Sequence, residues 1–192
     1  MTRKAICHLK SKFHSPYSPS KWYELPKMQK ETADDYERQT WMNRAHFYKE
    51  DGMCYIPAMQ FCNCLKAAAK FRSAELQVAG EGKARYTKNI EAGVMVFDNL
   101  DLGVNVNDLE SERILVPADG KRGGTTRVPK TFPVFPTWEG DVEFYVFDDK
   151  IPEEKFEYVL RTAGNLIGIG ISYAKAKGII LRGIDRKSEK RF

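Results

Sequence analysis

Residues 141–149, DVEFYVFDD, alternate polar and apolar side chains, and residues 151–164, IPEEKFEYVLRTAG, switch to helical spacing. Period two over nine residues predicts a strand with one buried face. In the second stretch Pro152 suits a first helical turn, and Glu153 and Glu154 complement the helix dipole. Phe156, Val159 and Leu160 form the apolar stripe and Gly164 is the expected stop. These two stretches give the clearest strand and the clearest helix of the chain.

The rest of the chain fills in around that pair. Residues 4–13, KAICHLKSKF, alternate loosely and predict a first strand. Asp51-Gly52 makes a turn into MCYIP, a short strand ended by Pro57. From Ala58, AMQFCNCLKAAAKFRSA is rich in helix formers, with Met59, Cys62, Leu65, Ala69 and Phe71 as its expected buried stripe. Residues 90–106 read as strand with turns, RILVPADG as a further strand, and 178–184, GIILRGI, as a short last strand. The order strand, helix, strand, strand, helix, strand is that of an α+β ferredoxin-like (RRM-like) sandwich in a single domain, 1–192.

Two insertions interrupt that order. Residues 14–50 hold three prolines, two tryptophans and many charges, too long a connection for a passive linker, and predict an inserted aromatic and basic arm. Within it, Thr32 is placed to cap a short helix with Asp34 and Asp35 in the first turn. Residues 119–138 combine a Gly-Gly pair, three prolines and four basic residues, which predicts a basic loop or hairpin tip.

Charge separates the function classes. The net charge of +5 is modest, so its placement matters more than its size. No apolar run approaches the roughly 20 residues a bilayer requires, and the basic start MTRKAICHLKSKF has no secretory apolar segment behind it. A cytoplasmic, reducing location without membrane contact is the expectation. Cys62 and Cys64, two apart on a helix, point to different faces and chelate poorly, so Cys7, Cys54, Cys62 and Cys64 are expected as buried free thiols with no metal or cofactor.

The glycine run GNLIGIGISYAKAKG, residues 164–178, lacks both the dinucleotide and the mononucleotide phosphate-loop spacings, and it follows a helix instead of opening one. Bare backbone at Gly168 and Gly170 beside Lys175 and Lys177 instead suits the close approach of a phosphodiester chain; the alternative is a bend between helix and strand. Two further basic loops add Lys83 and Arg85, then Lys121, Arg122, Arg127 and Lys130. Trp22, Trp41 and Tyr86 are candidates to stack unpaired bases. Catalytic signals are sparse: His14, in a polar loop, and Asp35 are the only candidates for a nuclease.

Residues 55–71, YIPAMQFCNCLKAAAKF, resemble the strand, Ile-Pro and helix segment of the RAMP superfamily, and 168–178, GIGISYAKAKG, resemble its glycine-rich loop. The likeness is nearest to the RRM-like backbone subunits of CRISPR effector complexes, with an impression of phage or prophage origin. It implies nucleic-acid contact at Lys66 and Lys70 and at Gly168, Gly170, Lys175 and Lys177. The segment IPAMQF lacks the glycine and serines of the family's helix opening. The expected function is binding of single-stranded RNA or DNA through its backbone, without catalysis, alone, in self-assembly or within a CRISPR-type antiviral complex. The alternatives are a phage inhibitor or mimic that contacts a host defence complex, and an RNA endonuclease of the same fold.

Overall fold

The computed structural model describes residues 2–11, 15–78, 80, 84–118 and 125–170. Strand β1 (Arg3–Lys10) pairs antiparallel with β7 (Glu139–Val146), and β7 pairs antiparallel with β3 (Val94–Met95), giving the sheet order β1-β7-β3. Alternation sends Ala5, Cys7 and Leu9 of β1, and Val142, Phe144 and Val146 of β7, to one face, where all are buried. Helices α2 (Ala58–Phe71) and α4 (Glu153–Thr162) supply the other half of that core. Phe156 meets Phe144 edge to face with ring centroids 6.0 Å apart, next to Val159 and Leu160. A second ribbon, β2 (Met53–Ile56) with β4 (Leu100–Asn105), reaches β7 at Gly140, where an added Cβ would collide with the Leu100 side chain. The architecture is α+β with antiparallel sheets.

Several expectations change. Met59 and Phe71 are exposed, because the buried arc of α2 is centred on Phe61, Leu65 and Ala68, with Cys62, Cys64 and Ala69 at its flanks. Residues read as strand from Ile90 instead open with helix α3 (Thr87–Gly93), which buries Ile90 completely and leaves β3 only two residues. Gly164 does not end α4: a π-helical turn, Ala163–Ile167, follows, and the Gly168 amide donates to the Ala163 carbonyl at 2.8 Å. All four cysteines are buried free thiols; burial raises the Cys7 pKa to about 12 and the Cys54 pKa to about 11.

The expected basic loop at 119–138 is in part a strand. Residues 119–124 lie outside the described residues, but β6 (Arg127–Val134) pairs with β5 (Glu110–Pro117) through eight antiparallel positions. Pro129 and Pro133 are compatible with this because Thr131, midway between them, sends its amide away from β5 to Glu37 Oε1 at 3.0 Å. Residues two apart share a direction, so neither proline removes a ladder hydrogen bond.

The arm is folded back along that outward edge. Thr32 and Asp35 form a capping box on helix α1 (Ala33–Thr40), which continues as a 3-10 turn, Trp41–Arg44. Arg44, seven residues after Glu37 in this hook, donates from Nη2 to both Glu37 carboxylate oxygens at 2.8 and 2.9 Å. Arg44 Nε donates to the Thr131 carbonyl, so the pair meets both polar groups of one β6 residue. Ser18 Oγ donates to the Pro133 carbonyl, and Arg113 of β5 pairs with Asp34. The guanidinium of Arg44 lies 5.3 Å from the Tyr23 ring and 5.1 Å from that of Phe132.

The side chains of Glu37 and Arg44 are only 10% and 12% exposed, so removing one strands the other in a poor solvent. Glu37→Ala is expected to cost about 3 kcal/mol, leaving Arg44 and the Thr131 amide unpaired. Urea unfolding checks this, and a loss under about 0.5 kcal/mol, the range of an ordinary surface change, contradicts it.

Candidate nucleic-acid interface

The glycine turn is built by the end of α4. After the π-helical turn, Gly168 adopts φ +72°, ψ +174° and Gly170 φ +93°, backbone that side-chain-bearing residues rarely take. The turn is anchored on α2: the Cys64 thiol lies 3.5 Å from the Ala163 carbonyl oxygen and 3.3 Å from that of Gly168. Between the glycines Ile169 is buried, while Gly170 is exposed. Beneath the turn an apolar cleft is lined by residues that include Leu9, Phe61, Trp138 and Leu160. Its volume of about 20 Å³ suits a water-sized guest and not a nucleoside. The turn thus offers backbone at a surface, without a pocket for a base.

The other predicted residues do not converge on it. Lys66 and Lys70 lie on the part of α2 turned towards α3, where Lys70 pairs with Glu91 at 3.1 Å. Cys64, the contact of the glycine turn, lies on the opposite flank of the helix. Arg85 donates to Ser73 Oγ, and Tyr86 is half-buried against the core at the start of α3. Arg127 and Lys130 are on β6, with Arg127 donating to the Leu115 carbonyl at 3.4 Å. Trp22 is 79% exposed, whereas Trp41 is half-buried in its 3-10 turn. Asp35 is committed to the capping box, accepting from the Thr32 amide and hydroxyl. His14, Lys83, Lys121, Arg122, Lys175 and Lys177 lie outside the described residues. No group of three or more metal-ligating side chains occurs among the described residues. No helix among them is long and apolar enough to cross a membrane.

Charge is distributed unevenly along the chain. Residues 171–192 hold seven of the 31 basic and two of the 26 acidic residues, so they carry the entire +5, and residues 1–170 balance at 24 and 24. The net positive charge of the chain therefore lies in residues 171–192 and not in residues 1–170. Counting charge along the chain, instead of in total, is the signal that locates it.

Sequence reading also passed over the outer face of the β1-β7-β3 sheet. The same alternation that buries Phe144 turns Tyr145 and Phe147 outward, and Phe97 joins them at 5.1 and 6.3 Å between ring centroids. Met95, Phe97 and Phe147 are 44%, 56% and 45% exposed. Cross-strand pairs between β1 and β7 continue this face beyond the cluster. Glu143 accepts from Lys4 at 2.7 Å and from the Tyr145 hydroxyl at 2.9 Å, and Asp141 pairs with His8 at 2.8 Å. The Lys4 contact holds the Glu143 pKa below its usual value, and the hydrogen bond to Glu143 raises that of Tyr145, with Asp98 adding to the rise. Lys4 Nζ also lies 5.8 Å from the Tyr145 ring centroid, so the charges on this face are cations of β1 paired with carboxylates of β7.

Among solved structures the chain is similar to Cmr6 from Pyrococcus furiosus, with 13% sequence identity, 93% of this chain and 97% of that chain covered, and a TM-score of 0.44. It is also similar to a chain of a CRISPR RNA-guided surveillance complex, with 13% identity and a TM-score of 0.42. There it covers 93% of this chain and 65% of the other. No protein-family model and no curated protein sequence matches the chain.

Two outcomes follow from this geometry. Gly168→Ala should destabilise the protein by about 2 kcal/mol, since φ +72° with ψ near 180° is glycine territory; thermal or urea unfolding measures it. Glu143 and Asp34, whose pKa values are lowered by Lys4 and by Arg38 respectively, stabilise the fold while ionised. Their contribution is complete above the ordinary carboxylate pKa of about 4 and is lost as pH falls through the lower folded values. The urea midpoint should therefore drop from pH 5 to pH 3, and drop less in the Asp34→Asn, Glu143→Gln double variant.

Proposed function

We propose that this protein binds single-stranded nucleic acid, RNA foremost, through the sugar-phosphate backbone, and serves as a non-catalytic subunit of a CRISPR-type ribonucleoprotein. The observation that carries the reading is the junction at Gly170. An anchored turn of exposed backbone with two positive-φ glycines leads directly into 22 residues that hold all of the net positive charge. Counterions released from the strand by those cations drive such binding, and it needs no pocket. The subunit part of the proposal rests on the RAMP-like segments 55–71 and 168–178. In the same reading the fold is ferredoxin-like. The sheet β1-β7-β3 with α2 and α4 on one face supports that reading.

Fluorescence anisotropy with a labelled single-stranded RNA, over a salt series, tests this reading. Affinity should fall steeply with salt, and Lys175→Ala with Lys177→Ala should weaken binding and flatten the log–log slope by about 1.4, near 0.7 per phosphate. A flat salt dependence, or no binding at low salt, overturns the reading.

A further inference from the structure

We propose that the outer edge of β5 is a docking site for an extended segment of another protein, added as a further antiparallel strand. That segment carries apolar side chains opposite Ile114 and Val116 and basic ones opposite Glu110 and Glu112. The pairing with β6 fixes which peptide groups of β5 stand free. Thr131 lies opposite Arg113 and directs its amide to Glu37 and its carbonyl to Arg44, both away from β5. Opposite residues of an antiparallel pair either exchange hydrogen bonds or both face away, so Arg113 turns its own amide and carbonyl away from β6. The Ser18 hydroxyl on the Pro133 carbonyl, and the Ala118 amide on the Thr126 carbonyl at 2.9 Å, fit the same phase. The outward set on β5 is therefore Ser111, Arg113, Leu115 and Pro117. Among the described residues no strand takes this side, and the one hydrogen bond to these peptide groups is that of Arg127 to the Leu115 carbonyl, at 3.4 Å.

The arm covers the edge of β6 and leaves that of β5 open: residues 110–113 are exposed, and Leu115 is 62% exposed. Charge selects the occupant. Alternation puts Glu110, Glu112, Ile114 and Val116 on one face of the strand and Ser111, Arg113 and Leu115 on the other. Arg113 is neutralised by Asp34, whereas Glu110 and Glu112 have no ion-pair partner among the described residues. An incoming strand is favoured when lysines or arginines stand opposite these two carboxylates and aliphatic side chains stand opposite Ile114 and Val116. Main-chain hydrogen bonds at 111, 113 and 115 supply the affinity common to strand addition. A second copy of β5 fits less well. The one self-pairing that maps 111, 113 and 115 onto one another centres on Arg113, and it sets guanidinium against guanidinium and Glu112 against Ile114.

Amide-resolved hydrogen exchange on the full chain tests the proposal, without nucleic acid, so that its outcome is independent of the function proposed above. The probe is the blocked peptide Thr-Val-Thr-Val-Thr-Lys-Thr-Lys-Thr, whose valines lie opposite Val116 and Ile114 and whose lysines lie opposite Glu112 and Glu110. In the free protein the amides of Glu112, Ile114 and Val116 should exchange slowly and those of Ser111, Arg113 and Leu115 fast. Near-saturating peptide should slow the second set about fivefold, the worth of one net hydrogen bond. Leu115→Pro removes an outward amide and no ladder bond, so the melting temperature should hold while the peptide binds about fivefold more weakly. Leu115→Ala, which keeps the amide, should bind as the wild type does. Glu110→Lys with Glu112→Lys, at two exposed positions, should weaken the lysine peptide and favour its counterpart with glutamate in place of lysine. Unchanged exchange at 111, 113 and 115 in the presence of peptide, slow exchange there in its absence, or equal affinity of the wild type for both peptides overturns the proposal. Slowing that instead grows with protein concentration, without peptide, also overturns it and assigns the edge to a second copy.

Discussion

The pair Glu37–Arg44 decides how more than a quarter of this chain is organised. A two-stranded ribbon such as β5–β6 is marginal alone, and its outward edge presents unpaired peptide groups. Glu37 takes the Thr131 amide, Arg44 takes the Thr131 carbonyl, and the two ions satisfy each other in a site almost closed to solvent. A carboxylate or a guanidinium alone at this place would pay heavily for lost hydration. Together they fasten α1 and the 3-10 turn to the ribbon, and the Ser18 and Arg113 contacts extend the seam. The inserted arm is in this way the edge cover of a hairpin.

That arrangement explains where sequence reading succeeded and where it stopped. The strand at 139–146 and the helix at 153–162 were legible because one period dominates each: two for Val142, Phe144 and Val146, and 3.6 for Phe156, Val159 and Leu160. The cap at Thr32, with Asp34 and Asp35 in the first turn, is local and was legible too; that Asp35 closes a capping box is added by the structure. The strand at 127–134 was hidden by its prolines, which are harmless only because Thr131 shows that the odd-numbered amides turn away from β5. No local rule contains that information, since it depends on register with residues 110–117. Helix α3 was missed for a similar reason: Ile90 earns its burial from α2, nearly twenty residues earlier, and not from any strong local periodicity.

The functional residues divide in the same manner. Gly168 and Gly170 were legible as unusual backbone, and both have positive φ. Lys66, Lys70, Arg85, Arg127 and Lys130 were chosen by residue type, and the fold disperses them among α2, the turn before α3, and β6. Residue type selects cations; only tertiary structure says whether they share a surface. The aromatic face was implicit in the alternation of DVEFYVFDD, because burying one set of side chains exposes the other.

With 24 basic and 24 acidic residues, positions 1–170 have no net field to hold copies of the protein apart in solution. Mutual repulsion comes from residues 171–192, which carry the whole +5. Any polyanion that covers those cations also cancels the repulsion, so loading the chain and bringing its copies together are thermodynamically linked events.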